Sequence, residues 1–181
     1  LDPVNDPLLI EKAASSRRFG NIKLCFSENI FDKSITEQFC AVTAILDDNS
    51  AYISFRGTDN TIVGWKEDFN MSFETQVPAQ RDAAAYVEKA AAALKRPMRV
   101  GGHSKGGNLA AYAGMFVSDE TREWIKTVYN FDGPGFNEAT ISSPDFGKVD
   151  MRIRTFVPQS SMVGILMWHR EPFTIVRSDG V

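Results

Sequence analysis

Residues 100–112 read VGGHSKGGNLAAY, and the reading of the serine at 104 decides the reading of the rest of the chain. The stretch leaves a short β-type run, MRVGGH at 98–103, and enters an apolar helical run, SKGGNLAAYAGMFV at 104–117. Gly102-x-Ser104-x-Gly106 thus satisfies G-x-S-x-G at a strand-to-helix junction, the context in which that pattern marks a nucleophile elbow. At ordinary Gly and Ser frequencies only roughly 0.06 such patterns arise by accident in a chain of this length. A serine on so sharp a turn exposes its Oγ, and its flanking positions, pressed between strand and helix, leave no room for a Cβ. The start of the helix directs free N–H groups and the positive end of its dipole at the same point, so the Lys105 N–H is an expected oxyanion donor. A Walker phosphate loop would share the spacing of Gly101 and Gly106 but needs Lys and then Ser or Thr next, where Gly107 and Asn108 stand. A purely structural glycine turn remains the alternative, because a serine nucleophile works only with a base and an acid.

Outward from the elbow, strands alternate with helices. Residues 22–31, 38–46 and 51–56 read as strands, the last two joined by a turn at DDNS (47–50), which gives the sheet an antiparallel start. PAQRDAAAYVEKAAAALKR (78–96) opens on Pro78 and carries Ala83, Tyr86, Val87, Ala90 and Leu94 on one stripe, the pattern of a helix lying on a sheet. After the elbow helix come a helical stretch at 119–127 and strands at 128–132, 151–157 and 173–178. The expected fold is α/β, one domain over residues 1–181: a mostly parallel sheet with helices on both faces, its site at the carboxyl ends of the strands.

A net charge of −3 offers no basic field for nucleic acid, and no apolar run is long enough to span a bilayer. LDPVNDPLLIEKAASSRRFG at the start lacks the basic-then-apolar order of a signal peptide. Cys25 and Cys40 sit in apolar β-like runs without a metal or redox spacing, so they read as reduced core residues and the compartment as cytoplasmic. Two scattered histidines and two cysteines make no ligand set, so neither metal nor cofactor is expected.

YISFRGTDNTIVGWKEDFN followed by GGHSKGGNLA resembles the class 3 (fungal-type) lipases. FRGTDNTIVGWKEDFNMSF, VGGHSKGGNLA, YNFDGPGF and FVPQSSMVG together resemble, more closely, a bacterial α/β-hydrolase family of unknown function related to those lipases, over about Phe39 to Ser178. The resemblance implies that Thr58, after the Arg-Gly pair, completes the oxyanion hole through its N–H and its hydroxyl, and that Arg56 and Asp68 form a buried pair anchoring that loop; RGTDN (56–60) is alternatively a polar turn after a strand. Trp65 reads as packing, with substrate contact as the alternative. Asp132, after the next parallel strand, stands where some α/β-hydrolases carry the triad acid. The lipase position one strand later offers only Gln159, Ser160 and Ser161, without a carboxylate. Asp132 before Gly133-Pro134-Gly135 is alternatively a turn former.

For the base there are His103 and His169. His103, next to the nucleophile, leaves the turn in another direction and reads as a packed or supporting residue. His169 in LMWHREPFTIV follows the acid, as the order Ser, Asp, His requires. The resembled family carries a Gln-His-Asp motif after such a segment, so a histidine beyond Val181 is the other source. Lys105 replaces the apolar or glutamine residue common in the lipases. It is either solvated or, facing the mouth, selective for acidic or phosphorylated acyl groups. SMVGILMW (161–168) reads as core, or as a lid or acyl contact. The expected activity is ester hydrolysis of the carboxylesterase or lipase kind, with lysophospholipase or thioesterase close to it, on a small-molecule or lipid ester substrate. A non-catalytic binding module on the same fold is the alternative, discriminated by whether a histidine reaches Ser104.

Overall fold

The computed structural model describes residues 4–59 and 61–177. In chain order the elements are α1 (Asn5–Ser15), β1 (Lys23–Asp32), β2 (Glu37–Ile45), β3 (Ala51–Phe55), α2 (Ile62–Asn70), α3 (Pro78–Leu94), β4 (Met98–His103), α4 (Lys105–Phe116), α5 (Asp119–Trp124), β5 (Ile125–Phe131), α6 (Glu138–Ile141), α7 (Pro144–Gly147), β6 (Ile153–Pro158) and β7 (Phe173–Val176). The strands form one seven-stranded sheet in the order β1 to β7. β1, β2 and β3 pair antiparallel, and from β3 onward every pairing is parallel. Because the parallel strands are laid down in chain order, right-handed crossovers carry their helices to the same face. There α3 and α4 pack on the sheet and on each other. α1 reaches the opposite face, Asp6 beside Ser54, Arg56 and His103.

The core forms where apolar periodicities meet. Tyr86 of α3 packs edge-on against Phe39 of β2 and Phe55 of β3, at ring-centroid distances of 6.3 and 6.2 Å. Leu109, Ala110 and Ala113 of α4 are fully buried against Val100 and Val128. The α3 stripe is as expected: Ala83, Tyr86, Val87 and Ala90 are buried, Pro78 opens the helix, and the Gln80 side chain accepts the Val77 N–H at 3.0 Å. On the far face Tyr52 of β3, Tyr129 and Phe131 of β5 and Phe156 of β6 make a row of stacked rings, Tyr52 meeting Tyr129 across Gly101 of β4.

Several boundaries differ from the sequence reading. The helical stretch at 119–127 ends at Trp124, and Ile125 already pairs with Met98, so sheet pairing overrides local helix propensity. α2 was not anticipated: Thr61 caps it by accepting the Gly64 N–H at 3.1 Å, and it carries Ile62, Trp65 and Phe69 outward, an inversion of the usual amphipathic rule. Cys25 and Cys40 are free thiols, half-buried rather than core. Ser178, the last residue of the expected final strand, lies outside the described residues. Among the described residues no helix is long and apolar enough to cross a membrane.

Glu37, 2% exposed at the start of β2, has its pKa raised from 4.5 to about 7, first by burial and then by the carboxylates of Asp82 and Glu67. The native state keeps a proton that the unfolded chain has already released, so stability falls as pH rises from about 4.5 to about 7 and then levels off. Glu37→Gln should remove that decline. Urea midpoints at about pH 5 and about pH 8 check it; a slope that survives the substitution assigns the decline to another group.

Candidate active site

β4 ends at His103, and Ser104 breaks into φ 55°, ψ −129° before α4 begins. The Ser104 N–H is held by the Phe131 carbonyl at 2.9 Å, and the Ser104 carbonyl accepts the Gly107 N–H at 2.9 Å. The Lys105 N–H, ahead of that bond, belongs to the first-turn donors without an intrahelical acceptor. The flanking glycines are required by contact: a Cβ on Gly102 would lie 2.4 Å from the Phe55 carbonyl oxygen, and one on Gly106 would lie 2.3 Å from the same atom. Gly57 brings the Arg-Gly-Thr loop against the elbow, since a Cβ there would lie 2.7 Å from the His103 carbonyl and 3.4 Å from the Ser104 Cβ.

Ser104, Lys105 and Thr58 line one cavity of about 330 Å³. Its apolar wall is Trp65, Pro134, Val163, Leu166 and Met167, and Asp59 and Asp68 supply its carboxylates. The Thr58 hydroxyl donates to Asp68 Oδ2 at 2.5 Å. Burial raises the Asp68 pKa above the ordinary carboxylate value, and the Thr58 bond only partly opposes it. Burial also works to raise Asp59, but the Thr61 hydroxyl and N–H and the nearby Arg56 outweigh it and hold that carboxyl low. Pro134 is fixed from beneath: Asn108 of α4 donates to the Pro134 and Gly135 carbonyls at 3.1 and 2.8 Å and accepts from Gln80 of α3 at 2.8 Å.

Asp132 follows β5 at φ 57°. Its Oδ1 accepts the Ser161 hydroxyl and, at 3.1 Å, the Gly164 N–H. A Cβ on Gly164 would lie 2.3 Å from that oxygen. His169 lies elsewhere: its Nδ1 is 3.0 Å from Glu171 Oε1, which also accepts the Thr155 hydroxyl at 2.8 Å. Burial alone would raise the Glu171 pKa, but these two bonds lower it on balance, so the carboxylate is ionised beside the imidazole. His169 Nε2 is enclosed without a partner among the described residues.

Residues 13–181 match the model of the family described as Mbeg1-like. The chain belongs to the Mbeg1-like family. This Mbeg1-like chain matches no curated protein by sequence. By structure it is similar to a fungal lipase–inhibitor complex described as a model for interfacial activation, at 18% identity and TM-score 0.55, over 79% of this chain and 60% of that one. It is similar also to the Rhizomucor miehei lipase propeptide complex, at 19% identity and TM-score 0.55 over 80% of this chain and 51% of that one. A triacylglycerol lipase from Penicillium expansum matches 97% of this chain and 81% of its own length, at 13% identity and TM-score 0.54. The Mbeg1-like chain thus spans between half and three-fifths of the first two lipases. At these identities the likeness shows the fold: the α/β-hydrolase architecture of the lipases.

Within that fold Ser104, Lys105 and Thr58 come together, whereas the Asp132 and His169 side chains do not meet, each having its own partners. Five expectations need correction. The Thr58 hydroxyl donates to Asp68 Oδ2 and so is not an oxyanion donor, which leaves the Thr58 N–H for that place. Arg56 and Asp68 form no ion pair; Arg56 Nη2 is 3.8 Å from Asp59, and Asp68 turns to Thr58. Trp65 is 65% exposed on the cavity wall rather than packed. His103 does leave the turn in another direction, but it is exposed and lines a separate polar cavity with Arg56 and Gly57. Lys105 is neither solvated nor at the mouth: its side chain is 1% exposed and its ammonium is 2.8 Å from Glu67 Oε2. A cation for acidic acyl groups is therefore not supplied there. Glu67, Gln38 and Glu171 carry much of this arrangement and were not singled out, and Ser161, read as lacking a carboxylate, is the partner of Asp132. The sequence signal for Glu67 was a Glu-Asp pair between the aromatic residues Trp65 and Phe69. Among the described residues no three His, Cys, Asp or Glu side chains group as a metal site would require.

Proposed function

We propose that this protein is a serine ester hydrolase of the carboxylesterase or lipase kind, with Ser104 as nucleophile. Carrying this reading is the strained elbow itself: a serine at φ 55°, between two glycines that admit no Cβ, opening on an apolar cavity. Ser104 Oγ attacks the ester carbonyl carbon while its proton passes to a histidine, and the oxyanion accepts hydrogen bonds from the Lys105 and Thr58 N–H groups. The alcohol leaves with that proton, and water then releases the acid from the acyl-enzyme. Asp132 is the acid of the set. His169 is its base after a rearrangement that frees it from Glu171, or a histidine beyond Val181 takes that place. A cavity of about 330 Å³ is at the lower end for small-molecule sites and suits a single short acyl chain. Lysophospholipids and thioesters fit the same chemistry, and two free thiols suit a reducing compartment such as the cytoplasm.

A non-catalytic binding module is the second reading, favoured by one observation: His169 is engaged by Glu171 and lines no part of the Ser104 cavity. Labelling of the full-length protein by a fluorophosphonate probe separates the two. Under the hydrolase reading the wild type labels, Ser104→Ala does not, and Asp132→Ala labels much more slowly. Survival of labelling in His169→Ala removes His169 as the base, and survival in the double variant with His103→Ala as well assigns it to a histidine beyond Val181. A folded wild type that stays unlabelled ends the hydrolase reading in favour of the binding module.

A further inference from the structure

Elbow chemistry asks nothing of the side chain after the nucleophile, yet here that side chain is a buried cation with a built set of partners. The Lys105 ammonium donates to Glu67 Oε2 at 2.8 Å, to the Gln38 carbonyl at 2.8 Å and to Gln38 Oε1 at 3.0 Å. Three protons meet three acceptors, which fixes the ammonium rotor. Glu67 is equally committed, since Oε2 also accepts the Gln38 N–H at 3.0 Å and Oε1 accepts the Ala79 N–H at 3.1 Å in the first turn of α3. The Lys105 and Glu67 side chains are 1% and 0% exposed.

We propose that the Lys105–Glu67 pair, with Gln38, is a positioning device that locks the two backbone donors of the oxyanion hole in one geometry; this rests on Ser104 being a nucleophile. One donor is Lys105 itself. The other, at Thr58, is reached from the same cluster by two routes. Gln38 Oε1, besides taking the ammonium, accepts the N–H of Asp59 at 3.4 Å, one residue after Thr58. Asp68, next to Glu67 on α2, takes the Thr58 hydroxyl at 2.5 Å. α2 lies hard against this corner, a Cβ on Gly64 falling 2.8 Å from Thr58 Cγ2 and 3.2 Å from Gln38 Oε1. β2, α2 and the elbow are therefore tied together beneath the hole.

Stability alone gives little reason for such a pair, because a buried ion pair is often matched or exceeded by apolar residues of similar volume. Geometry gives a better one. Oxyanion donors act only within a narrow distance of the developing charge, and displacement by about 1 Å costs about 100-fold in rate.

The test is the double variant Lys105→Met/Glu67→Leu, which keeps the packing and removes both charges. We expect a lower unfolding temperature, because the Gln38 and Ala79 N–H groups lose their Glu67 acceptor, with KM for a short-chain p-nitrophenyl ester within about threefold and kcat lower by about 10- to 100-fold. Gln38→Met, nearly isosteric, is expected to lower kcat by several-fold without moving KM, and it decides the matter if the double variant does not fold. Folded variants with wild-type kcat overturn the proposal, including the case in which only the unfolding temperature drops. The two readings fail separately: a wild type that fluorophosphonate does not label removes the hydrolase itself, whereas a labelled wild type with fully active variants removes only the positioning role.

Discussion

Replacing Ser104 by glycine is expected to lower ester turnover by on the order of 10⁴-fold or more and, at the same time, to make the protein more stable. Under the proposed hydrolase reading, loss of the nucleophile leaves only the contribution of binding and the oxyanion hole, so the rate effect belongs among the largest a single substitution produces. The stability gain has a separate cause. Ser104 sits at φ 55°, in the left-handed region where a residue with a Cβ is strained by about 1–3 kcal/mol and glycine is not. Glycine also gives the unfolded chain more freedom, which offsets about 0.4–1 kcal/mol. The net expectation is a gain of about 1 kcal/mol, read from urea unfolding. Ser104→Ala separates the two effects, since it removes the hydroxyl and keeps the strain: activity should be lost with stability unchanged. If glycine destabilises instead, the elbow stores no strain, and if either variant still turns over ester, Ser104 is not the nucleophile.

Gly106→Ala is expected to destabilise the fold by about 3 kcal/mol or more, at the upper end for an added methyl group. The new Cβ would sit 2.3 Å from the Phe55 carbonyl oxygen and 2.9 Å from the Phe55 carbonyl carbon. Both are backbone atoms of a central strand, so no side-chain rotation relieves the clash. α4 must move away from β3, carrying with it the Leu109 and Ala110 contacts that are fully buried. A loss of that size is a large part of the 5–15 kcal/mol that typically holds a domain together. Gly147→Ala is the matched control, because a Cβ there meets nothing within 4 Å. It should unfold within a few tenths of a kcal/mol of wild type or slightly above it. Equal urea midpoints for the two variants would show that strand and helix can separate at the elbow without cost.

How legible the protein was depended on the range of the interaction. The α3 stripe at Ala83, Tyr86, Val87 and Ala90 and the strands flanking the 47–50 turn depend on neighbours a few residues away, and their expected and observed positions agree. α2 escaped because its apolar residues Ile62, Trp65 and Phe69 face outward, Trp65 onto the cavity wall, so its pattern is not that of a core helix. Trp124 and Ile125 lie next to each other in a run that reads as helix throughout, and pairing with β4 alone cuts it there.

The same division holds at the candidate site. From its sequence alone this protein was an α/β sheet protein with a serine at a strand-to-helix turn between two glycines. Both features are local: they depend on hydrophobic period and on the absence of a Cβ at named positions. Only the tertiary structure decided that Lys105 turns inward to Glu67, 38 residues away, and that Asp132 holds Ser161, 29 residues on, while His169 keeps Glu171. A charged side chain next to a nucleophile reads as solvent-facing unless a distant segment supplies acceptors. Whether it does is settled by how β2 and α2 close over the elbow, because a buried charge persists only where the whole fold brings it a partner.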